Sequence, residues 1–230
     1  MANNLDQNST RNGSPQLEDE AHPKIDADPG ASRAITSLQA GSDEVIGESG
    51  VYQTPSFTNQ NDQFQINFAT ELLEPVIMLT GTKNGGDSYA LYVEEVIADP
   101  DTGVATGFKF SFPEWNYDHD EVNHNQVEDI HWVAIERGTH TLSDGRTVVA
   151  GTTNNVSYSA QSVNFGHNFS SKPIVLTNVA SHGSSHLVDS DPADVTTSPF
   201  SLKLQSDQKR HGVSSAVVEK VGWIAIETGG

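Results

Sequence analysis

Five residues occur twice in this chain with almost the same spelling. Trp132-Val133-Ala134-Ile135-Glu136 runs into Arg137-Gly138, and Trp223-Ile224-Ala225-Ile226-Glu227 runs into Thr228-Gly229. The two phrases start 91 positions apart (223 − 132). Aromatic and β-branched residues ending in a charge and a glycine read as a strand buried on at least one face, with its stop attached. A period this long exceeds any solenoid unit and fits a small domain present twice, each copy closed by this strand.

The chain has 230 residues, room for one large or two small domains. Helix signals are nearly absent, Thr, Val, Ser and Gly abound, and turn dipeptides recur, so the expected class is all-β. Net charge is −19, from 31 acidic against 12 basic residues. Such a surface repels phosphate backbones, which sets nucleic acid aside as a partner, and suits salty or calcium-containing surroundings. Without cysteine there is no disulfide framework, no thiolate zinc site and no cysteine catalysis. No stretch approaches the ~20 apolar residues of a membrane span. The first twenty residues lack both a basic and an apolar region, so they are not a classical signal peptide.

Residues 1–44 are rich in Asn, Asp, Ser, Pro and Gly, with Ile25, Ile35 and Leu38 isolated among them. This composition predicts a disordered or tethering arm, or an arm that orders by adding a strand to a neighbouring subunit. Residues 45–138 then read as a first β-sandwich. Phe64, Ile66 and Phe68 alternate with polar residues, Pro75 to Leu79 is the continuous apolar run of a central strand, Tyr89 to Val96 is a strand, and Phe108, Phe110 and Phe112 alternate again. Asp99-Pro100-Asp101-Thr102-Gly103 is a turn resembling part of a calcium loop. Residues 139–230 comprise a connecting hairpin, with Asp144-Gly145 as a two-residue type I′ turn, and a second sandwich. There Val163, Phe165 and Phe169 answer Ile66 and its neighbours, Lys172 to Leu176 answers Glu74 to Leu79, and Phe200 answers Phe108 at an offset of 92 (200 − 108).

With strands so placed, the pattern resembles the H-type lectin domain, the family of snail agglutinins and the C-terminal part of discoidins, as tandem bacterial-type units. The matching features, in order, are Phe64 and Phe68, Pro75, Thr106-Gly107-Phe108-Lys109, the loop with Trp115-Asn116, and the closing Trp132 phrase. They span roughly residues 50–138, with a shorter version over 155–228. The resemblance implies a six-stranded antiparallel sandwich that trimerises and binds sugars at a shallow site between subunits. It implies site residues of three kinds: an acid in an early loop, an arginine on a middle strand, and a Trp-His pair. Trp115 matches the tryptophan and Asp62 is the nearest early acid. Asn116 stands where the histidine would be, and no arginine falls near Tyr89 to Tyr92. The second unit has Ser206-Asp207-Gln208 in place of the Trp loop.

Sugars are held by aromatic faces against C–H groups, with carboxylates and amides bridging hydroxyls. Trp115, Asn116, Tyr117, Asp118 and His119 offer that set, with Asp62, Asn84 and Asp87 from other loops. Asp118, Asp120 and His124 are the candidate metal ligands, carboxylates suiting Ca²⁺ and histidine suiting zinc or nickel. His182, His186 and His211 lie scattered in a Ser- and Gly-rich setting and read as surface residues. Ser184, Ser185 and His186 lie near Asp189, but no Gly-x-Ser-x-Gly elbow accompanies them. A glycosidase pair of Asp87 with Glu114 or Asp118 needs a separation that sequence does not supply.

The expectation is a non-catalytic carbohydrate-binding protein, a homo-oligomer (trimer or higher) acting in adhesion outside a cell or on a particle surface, with avidity from repeated weak sites. The alternative is a structural subunit of a virion, tail fibre or extracellular matrix filament that keeps the fold without binding sugar.

Overall fold

The computed structural model describes residues 32–41, 44–56, 58–59, 62–81, 89–113, 123–124, 127–183, 187–206 and 217–229, with backbone alone for 32–36, 58–59 and 123–124. These residues are all-β, without a helix. The first half carries β1 (Ser32–Gln39), β2 (Val45–Gln53), β3 (Thr58–Asn59), β4 (Phe64–Leu72), β5 (Pro75–Gly81), β6 (Tyr92–Ala98), β7 (Ala105–Ser111), β8 (Asn123–His124) and β9 (Asp129–Glu136). The second carries β10 (Gly138–Thr141), β11 (Thr147–Val156), β12 (Gln161–Asn164), β13 (Ile174–Val179), β14 (Val188–Ala193), β15 (Pro199–Ser206) and β16 (Glu219–Ile226).

The strand orders of the two halves match. β1-β2-β9-β5 faces β4-β7-β6 in the first, and β10-β11-β16-β13 faces β12-β15-β14 in the second; β3 pairs with β8 apart from these. Every pairing is antiparallel. The registers match as well: Ile66 faces Phe108 as Val163 faces Phe200, and Gly50 faces Trp132 as Gly151 faces Trp223. A Cβ on Gly151 would lie 2.3 Å from the Trp223 ring, so glycine there lets the indole lie across its neighbour.

Each sheet pair encloses a core. Tyr52, Ile66, Phe108, Phe110, Ile130, Trp132 and Ala134 fill the first; Val163, Phe165, Phe200, Leu202, Trp223 and Ala225 fill the second. A third core lies between the halves, built from Val76, Met78, Ile135, Val148, Ala150 and Ile224, with Val133 and Ile226 packed against it. The repeated phrase is therefore buried on both faces. Its Trp and Ala point into their own sandwich, and the alternate Val or Ile and Ile point at the other sandwich. The four sheets stack, with the two phrase-bearing sheets in the middle.

Several expectations change. Residues 32–39 of the anticipated arm form β1, which pairs with β2 of the same chain rather than with a neighbour, and Ala40 is buried; residues 1–31 lie outside the described set. Leu38 packs against the core between the halves, a partner distant in sequence. The run Pro75–Leu79 is an edge strand, not a central one. It is apolar on both faces because the second half covers its outer side, and its Leu79 N–H is taken by Asn178 Oδ1 at 2.8 Å. The expected strand Tyr89–Val96 begins at Tyr92. In the hairpin, Gly145 N–H bonds to Leu142 O at 2.9 Å and Leu142 N–H to Arg146 O at 2.8 Å, enclosing three residues. Only Gly145 has positive φ, +86°, so this is a type I turn ending in a glycine bulge, not type I′. Each half has seven strands in its two facing sheets rather than six, because β1 and β10 flank the sandwich edge.

Candidate functional site

The expected sugar-binding residues draw on three segments. Trp115, Asn116, Tyr117, Asp118, His119, Asp120, Asn84 and Asp87 lie outside the described residues. Asp62 sits half-buried just ahead of β4, and His124 belongs to β8, its backbone opposite Thr58. What is described is where the three segments attach, and those attachments meet at one end of the first sandwich. Ala90 N–H bonds to Pro113 O at 3.0 Å, which joins the end of segment 82–88 to the start of segment 114–122. The Phe112 ring lies tilted at 5.3 Å from Phe64, just after Asp62, and edge-on at 5.9 Å from Tyr89.

The residues beneath this end are closely packed. A Cβ on Gly81 would lie 2.0 Å from the Tyr89 hydroxyl, so glycine is required where that ring crosses β5. Burial, helped by the Glu128 charge, pushes the Tyr89 phenol up to about 12, so it stays neutral. Glu128 is fully buried, and Thr54 ties its backbone on both sides, Thr54 N–H to Glu128 O at 2.9 Å and Glu128 N–H to Thr54 Oγ1 at 2.8 Å. Tyr92, near the position where the resemblance places an arginine, turns away from this end and enters the second core.

That tyrosine belongs to a polar group the sequence reading did not find. Its hydroxyl donates to Val188 O at 2.7 Å and accepts from Val188 N–H, and its ring stacks on His182 with centroids 4.7 Å apart. His182 Nδ1 lies 3.1 Å from Glu94 Oε1, and Ser111 Oγ also donates to Glu94. Behind them Glu219, almost fully buried, accepts from Gly183 N–H at 3.0 Å and from Ser181 Oγ. The Glu94 hydrogen bond raises the His182 pKa against its burial, and the Glu94 and Glu219 charges add to it. Burial pushes the Glu94 carboxyl up, but the His182 and Ser111 hydrogen bonds and the imidazolium charge outweigh it, and it ends below the ordinary value. Among the described residues no hydroxyl is hydrogen-bonded to His182; both serines bond to carboxylates. The geometry is that of an ionic lock between the halves rather than of a nucleophile with its base.

A signal for part of this was present. Glu128 and Glu219 are also 91 apart (219 − 128), so the repeat is longer than the phrase: Glu-x-Ile/Val-x-Trp precedes Val/Ile-Ala-Ile-Glu. The closing Glu136 and Glu227 are matched as well. Glu136 accepts from Leu73 N–H at 2.6 Å and Glu74 N–H at 2.9 Å, and Glu227 accepts from Ser170 and from Thr147 N–H at 3.0 Å. Each glutamate ties down the turn leading into β5 or β13. His182, read as a surface residue, is exposed, and it is also ion-paired and stacked. His186, Ser184, Ser185 and His211 lie outside the described residues.

An open depression of about 550 Å³ lies on the second half, lined by Asn164, Gly166, His167, Asn168 and Ser198. Asn164 Oδ1 accepts from Gly166 N–H at 2.7 Å, and the His167 ring stands edge-on to Phe169 at 4.8 Å. Amides, an imidazole and a hydroxyl make a polar, shallow surface there. In the Asp99 turn, Oδ1 of that residue accepts from Asp101 N–H, Thr102 N–H and Thr102 Oγ1, so the oxygen a cation would use serves the turn. Among the described residues no group of three or more His, Asp or Glu side chains is placed to hold a metal ion. Asp118 and Asp120 of the expected metal set lie outside them, as does the side chain of His124.

No protein-family model, curated protein or solved structure matches the chain.

Proposed function

We propose that this chain is a non-catalytic carbohydrate-binding protein that recognises cell-surface or extracellular glycans through one end of its first sandwich. The observation that carries this reading is the meeting of three attachment points, before Phe64, at Gly81–Ala90 and at Pro113, from which Asp62, Asn84, Asp87 and Trp115 to His119 depart. That set combines an aromatic face with amides and carboxylates, the chemistry that grips a sugar ring by its C–H face and its hydroxyls. Binding residues commonly sit on segments that a packed scaffold holds at their ends. Adhesion at a cell or particle surface and repetition of weak sites in a homo-oligomer belong to the same reading.

The experiment is a glycan array followed by titration of the best ligand against the full chain and its Trp115→Ala variant. Binding by the full chain, with a loss of tenfold or more (about 1.4 kcal/mol) in the variant, is expected. Unchanged binding in the variant removes the loop, and silence of the full chain across the array removes the reading.

A structural role, as a subunit of a virion, tail fibre or extracellular matrix filament, is favoured by a different observation. The third core and the Tyr92–Val188 and Asn178–Leu79 bonds make one block of the two halves, as a load-carrying element requires. Recovery of the chain in filaments or particles, together with a silent array, would select that role.

A further inference from the structure

One corner of the sandwich is built differently in the two halves. Phe68 packs on Phe108 and Trp132, and Phe165 packs on Phe200 and Trp223, so the residues after them correspond: Ala69 and Thr70 in one half, Gly166 and His167 in the other. In the first half the Glu48 carboxylate fills this corner, accepting from Ala69 N–H at 3.2 Å and Thr70 N–H at 3.0 Å. Its register counterpart is Val149, whose side chain packs in the second core and carries no polar atom. No carboxylate fills the corner there, and the depression of about 550 Å³ opens at it.

The second half closes this turn on itself instead. Asn164 Oδ1 takes the Gly166 N–H. Phe165 N–H bonds to Ser198 O at 3.0 Å and Phe169 N–H to Thr197 O at 2.8 Å, so backbone bonds set the 164–168 turn against residues 197–198. Phe165 and Phe169 are buried, and the half-buried His167 ring stands edge-on to Phe169. Among the described residues the His167 nitrogens, the Asn168 amide and the Ser198 hydroxyl have no hydrogen-bond partner, and Asn164 keeps its amide nitrogen. Convergent polar groups that the fold itself does not use are what a small-ligand site presents.

Charge selects the ligand. The five lining residues include no carboxylate, although the chain has 31 acidic residues, so a cation finds no counter-charge there. They include no Lys or Arg either, and a net charge of −19 repels anions. A neutral ligand remains. Amides, an imidazole and a hydroxyl both donate and accept, as adjacent hydroxyls on a ring require. The volume lies within the range of small-molecule sites, about 300–1,000 Å³.

We propose that Asn164, His167, Asn168 and Ser198 bind one ring of a neutral saccharide, in the half that has no Trp loop. The imidazole offers a flat face to the C–H groups of the ring, and the amides and hydroxyl bridge its hydroxyls. The site lies where β12 ends and β15 begins, whereas the first-half attachments lie where β4 begins and β5 and β7 end. These are opposite ends of the shared sandwich plan, so one chain can bridge two glycans. The ligand class is that of the proposed function, but the residues are different, and either site can fail without the other.

Nuclear magnetic resonance titration of the isotope-labelled full chain with methyl hexopyranosides of gluco, galacto and manno configuration tests this. Saturable shifts of the Gly166, His167 and Asn168 amide signals are expected for at least one, with a dissociation constant of about 1–10 mM. Glycerol, which has hydroxyls without a ring, and methyl glucuronide, which adds a charge to the ring, should bind about tenfold or more weakly. Asn168→Ala with Ser198→Ala should abolish saturation. Neither side chain makes a hydrogen bond within the described residues, so the melting temperature of the double variant should match the parent. His167→Leu, which keeps a side chain against Phe169, should weaken binding too. Trp115→Ala should leave these shifts unchanged, which separates this site from the loop of the first sandwich. Absence of saturable shifts with all three pyranosides overturns the proposal. So do equal shifts with glycerol, tighter binding of the glucuronide, loss of the shifts in Trp115→Ala, or a double variant that binds like the parent.

Discussion

Trp132 and Trp223 stand at matched places in β9 and β16, each opposite a glycine and each among two phenylalanines, Phe68 and Phe108 or Phe165 and Phe200. Yet Trp223 Nε1 donates to Thr153 Oγ1 at 3.1 Å, while Trp132 Nε1 is buried without a hydrogen-bond partner. The register explains the difference. Thr153 faces Val221 as Tyr52 faces Ile130, so the first half has a tyrosine where the second has the accepting hydroxyl. Tyr52 instead joins a ring cluster, 5.2 Å from Phe110 and 5.7 Å from Phe64. A similar exchange separates Glu48 from Val149, which occupy one register position. Glu48 is fully buried and accepts from the Ala69 and Thr70 N–H groups where β4 leaves its regular pairing with β7.

On the faces where the halves meet, the differences have another cause. His131 in the first half is exposed, and its counterpart Gly222 lies under Val76 and Met78. The sandwich plan is shared by both copies, but docking is one-sided, so each copy has adapted to the surface it covers or offers. The repeat survives best where one strand must satisfy two cores at once.

The largest expected effect concerns the tryptophans. Trp223→Ala should cost about 3–5 kcal/mol of unfolding free energy. Trp132→Ala should cost about 1–3 kcal/mol less, because it also removes a buried donor that has no acceptor. Denaturant melts of both variants measure this, and equal losses would mean that the unpaired indole carries no penalty. Next comes the exchange at the docking face. Gly222→His, which installs the first half's residue, should destabilise by about 1–3 kcal/mol through overpacking against Val76 and Met78. The reverse, His131→Gly, should cost only the strand entropy of glycine, about 0.5–1 kcal/mol. Similar losses for the two would refute one-sided docking.

The smallest effect is the lock between the halves. His182 has a raised pKa in the folded state, so its contribution is complete below its ordinary value near 6.5 and fades as pH rises through the raised one. Glu94 has a lowered pKa, so its contribution is present above its ordinary 4.5 and fades as pH falls through the lowered one. The pair acts between those limits and counts once. His182 is solvent-accessible and the pair is screened, so the gain is on the order of 1 kcal/mol or less. Melting temperature should decline slightly as pH rises above the ordinary histidine value of about 6.5, and His182→Gln should remove that slope; an identical slope in the variant would place the titrating group elsewhere.

Much of this architecture was legible. The all-β class follows from alternation at Phe64 to Phe68 and Phe108 to Phe112, and the matched copies follow from the phrase, which is local and long enough to be unambiguous. What covers a strand is not local. Val133 and Ile135 look like any buried residues, and only the second half's Val148 and Ile224 explain them. The same cause made Pro75–Leu79 look central when it is an edge under a neighbouring sheet. Tyr92 and His182 are 90 positions apart (182 − 92), and nothing in either neighbourhood announces the other. β1 escaped because the core against which its Leu38 packs is assembled from residues distant in sequence. Of the candidate site, the chemistry could be read from Trp115 to His119, but the meeting of its attachments at Ala90 and Pro113 could not, because that depends on three connections closing at one end.

The joining of the halves is most directly tested by unfolding each with its own reporter. In a Trp115→Phe background, Trp223→Phe leaves Trp132 to report the first sandwich, and Trp132→Phe leaves Trp223 to report the second. Fluorescence-detected urea unfolding should show one transition within each variant, coincident with the loss of β-structure by circular dichroism, because the third core makes one half's unfolding expose the other. A tryptophan signal that completes its transition while half of the β-structure remains would contradict the account, since the two sandwiches would then be neighbours on a chain and not a single folded block.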